Sequence, residues 1–290
     1  RFLAGRGYDR ILEYNDLVRV PPYNRQVGWG LDERAMIQPA VDFMKGDPSR
    51  PFFVVLQPVN PHHPYEIPDD SFAVAGSPRG LDGKAAAWVK YRNSLHYADA
   101  VLGMLVDRLE REGLMDNTLF ILVADHGEAF SQHRGNYGHP LFLYEENVHV
   151  PLLIYNRRLF PRPVVFTGLS RHIDILPTIQ DALGIPDLEG QEGISLLAER
   201  REQMALLHTS WNDELLGLRD ARWKYIRNSV SGAEELYDLE ADPAEAKNLV
   251  AEKQDVAARY RDVVEKSSRY RAAFFERVLG RKNGRKLARR

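Results

Sequence analysis

The chain has 290 residues, 44% of them hydrophobic, and no cysteine. That is enough for a sizeable core in one large domain, or one plus a small appendage, and the missing thiols exclude a disulfide framework and a thiolate zinc site. A net charge of -2 with 28% charged residues calls for no nucleic-acid partner, and no run of about 18 apolar residues marks a membrane span.

Turn chemistry at Pro21-Pro22 and Gly28-Trp29-Gly30 opens the chain. Helical apolar spacing follows over 31–44, then a short dense apolar run over 51–57 that reads as a buried strand. A loop with four prolines and two histidines spans 58–68. Tyr91, Leu95, Ala98, Leu102, Leu105 and Leu109 mark one face of an amphipathic helix, closed by Gly113. A second continuous apolar run covers 118–124. A helix between two such runs predicts a βαβ unit in a parallel sheet. A further strand is expected over 148–155 and a helix over 173–183 closed by Gly184. Beyond residue 205 the segments 222–227 and 235–239 flank Ser231-Gly232, the pattern of an antiparallel hairpin. Asp242-Pro243-Ala244-Glu245 carries helix-start signals, so a charged helix should run from there towards residue 280. The basic stretch 281–290 reads as a solvated tail.

Chemistry concentrates at Asp125-His126-Gly127-Glu128, directly after the second apolar run, because ligands gather at the carboxyl ends of strands in open α/β sheets. A carboxylate beside an imidazole can hold a divalent cation; the pair alone is a weak signal and more commonly a helix-capping aspartate next to a satisfied histidine. His62 and His63 sit between prolines after the other run, and an imidazolium there can donate to an anionic ester oxygen. The bland alternative is a proline-stiffened surface loop. His139 and His133 share the loop 127–140, where one can face a site while the other is exposed. His96 reads as a packed histidine, Asp174 as a structural residue at a helix start, and His149, His172 and His208 carry no legible chemistry.

In order and spacing these segments resemble the sulfatase family of the alkaline phosphatase superfamily. Asn60-Pro61-His62-His63-Pro64-Tyr65 looks like its histidine-proline substrate loop. Tyr97-Ala98-Asp99, Asp116-Asn117-Thr118 and Asp125-His126-Gly127 look like its helix-to-metal-strand signature. Gly138-His139 with Tyr144-Glu145-Glu146 and Val150-Pro151-Leu152 resembles the next block, and Ile173-Asp174-Ile175-Leu176-Pro177-Thr178 its structural helix. Glu235-Leu236-Tyr237-Asp238-Leu239, Asp242-Pro243 and Asn248-Leu249 resemble its C-terminal hairpin and helix.

The resemblance implies an α/β fold with a mostly parallel central sheet flanked by helices, plus a small C-terminal antiparallel hairpin or sheet with a helix. Residues 1–204 would be the C-terminal part of a catalytic domain and 205–290 a small α+β subdomain. It implies a sulfuric ester hydrolase using one divalent ion, calcium or manganese, held by Asp125 and His126. His62 and His139 would contact the sulfate or phosphate group, and His139 would protonate the leaving oxygen. The family's formylglycine-forming cysteine has no counterpart here, Ser77-Pro78-Arg79 does not replace it, and the paired-aspartate strand is missing. An upstream segment bearing the nucleophile is therefore expected. Gly28-Trp29-Gly30-Leu31-Asp32-Glu33 and the His62-His63-Pro64-Tyr65 loop look rather like phosphonate monoester hydrolases or lipoteichoic acid synthase-like phosphoglycerol transferases, which keeps phosphoryl chemistry open. A non-catalytic pseudoenzyme is the third reading. Family habit favours a periplasmic or extracellular location.

Overall fold

The computed structural model describes residues 5–19, 21–199 and 204–279. The basic stretch 281–290 lies outside the described residues. The chain divides into two compact units, residues 1–120 and 121–290.

The first unit opens with a helical turn α1 (Tyr14–Leu17) and a small antiparallel hairpin of β1 (Gln26–Val27) and β2 (Gly30–Leu31). Gly28 turns the hairpin at φ 57°, a backbone state that glycine enters without steric cost. A 3-10 turn, Glu33–Met36, leads into α2 (Ile37–Lys45), which buries Ala40, Val41 and Met44. The long helix α3 (Gly83–Arg111) starts where the Asp82 carboxylate accepts the Ala85 N–H at 2.9 Å, and Gly113 closes it at φ 68°.

The buried face of α3 is Asn93, Ser94, Tyr97, Val101, Leu105 and Leu109. Its N-terminal half is thus rotated from the expected stripe, and Leu95 is exposed. Polar anchors set the rotation: Asn93 accepts the Ala75 N–H at 2.7 Å, and Ser94 donates to Asn60 Oδ1 at 2.8 Å. Tyr97 then packs edge-on to Phe72, and His96, expected to be packed, is exposed beside that ring. The apolar run 51–57 forms no strand among the described residues, and Phe53 is 71% exposed.

In the second unit β3 (Phe120–Val123) leads to β4 (Ala129–Phe130) and β5 (Tyr137–Gly138), then α4 (Glu145–Val148) and β6 (Leu152–Tyr155). β3 and β6 form a two-stranded sheet, and β4 and β5 an antiparallel pair. The larger, mostly parallel central sheet expected from the apolar runs is not shown among the described residues. The strand expected from 148 begins only at Leu152, because Val148 and His149 N–H groups bond back to Tyr144 and Glu145. The helix expected at 173–183 is a 3-10 turn, His172–Asp174, followed by α5 (Ile175–Leu183), with Gly184 left-handed at φ 66°.

A four-stranded antiparallel sheet follows, of β7 (Ala205–Thr209), β8 (Leu215–Arg219), β9 (Trp223–Asn228) and β10 (Glu234–Asp238), in the order β10-β9-β8-β7. Alternation assigns its faces. Leu216, Leu218, Tyr225 and Leu236 pack on Val256, Ala257, Tyr260 and Val264 of α6 (Gln254–Leu279). Leu215, Ile226 and Tyr237 pack on Leu143 and Tyr144. The final helix starts at Gln254, not at Asp242. Glu245 sits at φ 52° with its side chain turned inward to accept the Glu145 N–H at 2.6 Å, a backbone state incompatible with a right-handed helix.

Candidate functional site

In the second unit the end of β3 is tied down on three sides. Ala124 N–H bonds Pro151 O at 3.3 Å, Gly127 N–H bonds Asn147 O at 2.8 Å, and His172 Nε2 donates to Ala124 O at 2.8 Å. His172, without legible chemistry in sequence, thus steadies the backbone just before Asp125. Asp125 accepts the His126 N–H at 3.0 Å and its side chain is 83% exposed.

His126 Nδ1 lies 2.9 Å from Gly127 O. A carbonyl only accepts, so Nδ1 carries the proton and Nε2 presents its lone pair. That Nε2 stands 3.6 Å from Asp125 Oδ1, a separation one divalent cation can bridge. The bond that fixes the tautomer is the outer-sphere contact typical of metal-binding imidazoles.

The β4–β5 pairing sets the next contact. Ala129 faces Gly138 in register, which continues outward to put Glu128 opposite His139. Glu128 Oε2 is 3.2 Å from His139 Nδ1, and the His126 and His139 rings stack at 3.8 Å, 19° from parallel. Donor atoms of His126, Glu128 and His139 lie within 4.8 Å of one another. Glu128 was legible only as the fourth residue of the Asp125 motif; its alternation with His126 along the chain was the signal that could have singled it out. Either donor set suits a divalent ion: one carboxylate with one imidazole, or one with two.

His133 is the structural histidine of the loop. It stacks on Tyr144 at 3.8 Å, holds Glu146 Oε1 at 2.7 Å through Nδ1, and donates from Nε2 to Glu245 O at 3.2 Å. Burial pushes its pKa down, but Glu146 and the Glu245 carbonyl outweigh that and leave it raised. Asn136 extends the network to Glu146 and Asn147, and Asn147 donates to Gly138 O at 3.0 Å. His149 is exposed near Glu145, and His208 faces Glu214 at 3.5 Å. Asp174 is buried, accepting the Arg171 and Ile194 N–H groups, the structural role its position suggested.

Gly127 leaves no room for a side chain, since a Cβ there would stand 2.1 Å from Glu146 O. Gly127→Ala should therefore push the 144–147 turn off the strand end. The expected loss is about 1–3 kcal/mol of stability, as for other overpacked sites, together with weakened metal binding. Urea unfolding and metal titration of the same preparation check it.

His62 lies in the first unit. Its N–H bonds Val59 O at 2.8 Å, its carbonyl accepts the Tyr65 N–H at 2.9 Å, and its Nδ1 is 2.7 Å from His63 O. Trp29, carried by the β1–β2 turn, packs against the His62 ring at 4.7 Å.

A strand-end carboxylate–imidazole pair beside a second histidine is the kind of centre an α/β hydrolase with a divalent cation builds. The sulfatase family pattern matches residues 2–185, and the pattern described as N-sulphoglucosamine sulphohydrolase, C-terminal, matches residues 135–269; the chain belongs to the sulfatase family. It is 27% identical to an arylsulfatase of Clostridium perfringens over 77% of this chain and 55% of that protein. It is 33% identical to arylsulfatase K of Bos taurus over 59% of this chain and 35% of that protein. The chain thus spans about half or less of the length of these relatives. Among solved structures, one from Bacteroides thetaiotaomicron, reported for the metabolism of multiple glycosaminoglycans, superposes at TM-score 0.68 with 20% identity, covering 80% of this chain and 57% of that one. The phosphonate monoester hydrolase of Agrobacterium radiobacter superposes at TM-score 0.54 with 25% identity, covering 63% of this chain and 41% of that one.

Proposed function

We propose that the complete protein hydrolyses sulfate esters, with the nucleophile supplied from outside these 290 residues. The observation that supports this best is the Asp125–His126 pair after β3, where the Gly127 carbonyl fixes the His126 tautomer so that Nε2 is the ligating atom. Asp125 and His126 would hold one divalent cation, calcium or manganese. When bound, such an ion supplies Lewis-acid polarisation of an ester oxygen. Glu128 accepts from His139 Nδ1, which orients the ring and leaves Nε2 as the atom that passes a proton to the departing alkoxide. In this reading His62 donates to the anionic group and stabilises charge building on it.

Similarity to a phosphonate monoester hydrolase favours phosphoryl chemistry as the second reading. The test is hydrolysis of an aryl sulfate against an aryl phosphonate by the complete protein, after chelation and re-addition of calcium or manganese. Sulfate turnover restored by metal is the expected result. Preference for the phosphonate by about 100-fold or more in kcat/KM, roughly 2.7 kcal/mol of transition-state discrimination, would replace it with the second reading. A folded, metal-loaded protein inert on both would leave the non-catalytic one.

A further inference from the structure

The segment 28–33 grips the His62 turn at several points within the first unit. Gly28 N–H bonds Glu66 Oε2 at 3.1 Å, Trp29 packs on the His62 ring, and a Cβ on Gly30 would stand 2.6 Å from Val59 Cγ2. The innermost point is Glu33, only 3% exposed, whose Oε1 accepts the Asn60 N–H at 2.5 Å. Asn60 is itself buried, its Oδ1 accepting the Ser94 hydroxyl at 2.8 Å.

Around this contact the core is polar. Tyr97 accepts the Glu33 N–H at 2.8 Å and donates to Asp32 Oδ1 at 2.9 Å, and Arg34 pairs with Asp32. The charged and titratable groups next to Glu33 are thus Asp32 on the same turn, itself paired with Arg34, and Tyr97 on α3, which takes the Glu33 N–H. Glu33 Oε2 has no hydrogen-bond partner among the described residues. Burial, opposed by the Asn60 and Val59 N–H groups, pushes the carboxyl up to about 7.

A buried acid next to another acid is an expensive way to cap a loop. A neutral amide would accept the same N–H without that penalty. What the carboxylate adds is a charge-assisted bond, shorter and roughly twice as strong as a neutral one, to the backbone two residues before His62.

We propose that Glu33 is a positioning residue for His62, its carboxylate fixing the backbone at Asn60 and thereby where the imidazole stands. The inference rests on the reading of His62 as the group that contacts the substrate anion. Glu33 touches no substrate and acts through the 59–62 turn. When Glu33 ionises, the grip on Asn60 tightens, so turnover should rise as pH passes through about 7.

The test compares wild type, Glu33→Gln, Glu33→Ala and His62→Ala in the complete protein on an aryl sulfate between pH 5.5 and 8.5. Expected for Glu33→Ala is a fall in kcat/KM of about tenfold or more per folded molecule, the scale of a lost orienting contact. Glu33→Gln should match wild type within about threefold at pH 6 yet lose the rise near 7. If Glu33→Ala does not fold, the Gln profile decides alone. A Gln variant whose pH profile overlays wild type, or an Ala variant that loses only melting temperature, overturns the inference. His62→Ala separates the two levels: a large loss there with silent Glu33 variants sinks only the positioning role, whereas an unaffected His62→Ala sinks the reading beneath it.

Discussion

Replacing His126 by alanine in the complete protein is expected to release its divalent ion and to lower turnover about a thousandfold, close to 4 kcal/mol of transition-state stabilisation. The size follows from what the ring holds together. Nε2 faces Asp125 Oδ1 at 3.6 Å, where in the proposed site it would ligate the ion, and the same ring stacks on His139. In the proposed function its loss would therefore remove a metal donor and the ring that His139 stacks on at once. Metal content by atomic emission, measured beside kcat/KM, reads the two effects separately. Unchanged metal and unchanged turnover would refute the site. Asp125→Asn, which keeps an oxygen in place, should weaken the metal more than it slows saturated turnover.

The largest stability effect is expected at Lys224. Its side chain on β9 has 0% exposure, with Nζ 2.9 Å from Glu245 Oε1 and 3.1 Å from Glu145 Oε1. The two acids respond differently. Burial pushes both up, but Lys224 and Arg219 outweigh it at Glu145 and hold that carboxyl below the usual range. At Glu245 burial wins over Lys224, and the carboxyl stays above it. Lys224→Met leaves Glu145 with Arg219 at 3.1 Å but strips Glu245 of its countercharge. A buried pair broken on one side typically costs about 3–5 kcal/mol.

The pH dependence has a definite sign. A folded-state pKa above the unfolded one means that the native state binds a proton the unfolded state has released. Stability from Glu245 is thus fully present below the unfolded pKa and lost as pH rises through the folded one. Removing Lys224 raises that folded value further, so the variant should be worst at neutral pH and recover as pH falls towards 5. Adding Glu245→Gln should return much of the loss at neutral pH. Urea midpoints at pH 5 and pH 7.5 for both proteins decide it; a penalty independent of pH would show that the charge is not the cause.

What could be read from sequence was what local chemistry determines. The apolar run over 118–124 puts Asp125 and His126 just past a strand end, where the local turn, with Asp125 accepting the His126 N–H, brings carboxylate and imidazole together. Gly113 and Gly184 close helices because each takes a left-handed backbone, and the 222–239 hairpin follows from Gly232 between two alternating segments. What escaped depends on partners distant in the chain. Glu33 and Lys224 look like surface charges until Asn60, Glu145 and Glu245 enclose them. The helix signal at Asp242-Pro243 is locally sound but loses to the inward turn of Glu245. The α3 stripe was displaced because Asn93 and Ser94, polar by type, are spent on anchoring loops. The parallel sheet was inferred from two apolar runs, only one of which finds a ladder among the described residues.

The unladdered run at 51–57 has a practical consequence for anyone producing these 290 residues alone. Phe52-Phe53-Val54-Val55-Leu56 is uncharged and rich in β-formers, with Phe53 and Val55 exposed. That composition nucleates cross-β stacking when no neighbouring backbone occupies its edge. Pro51 and Pro58 bracket it as gatekeepers, since neither can donate to a growing fibril. The isolated chain should accumulate in inclusion bodies, and a lysine in place of Val55 should shift it towards the soluble fraction.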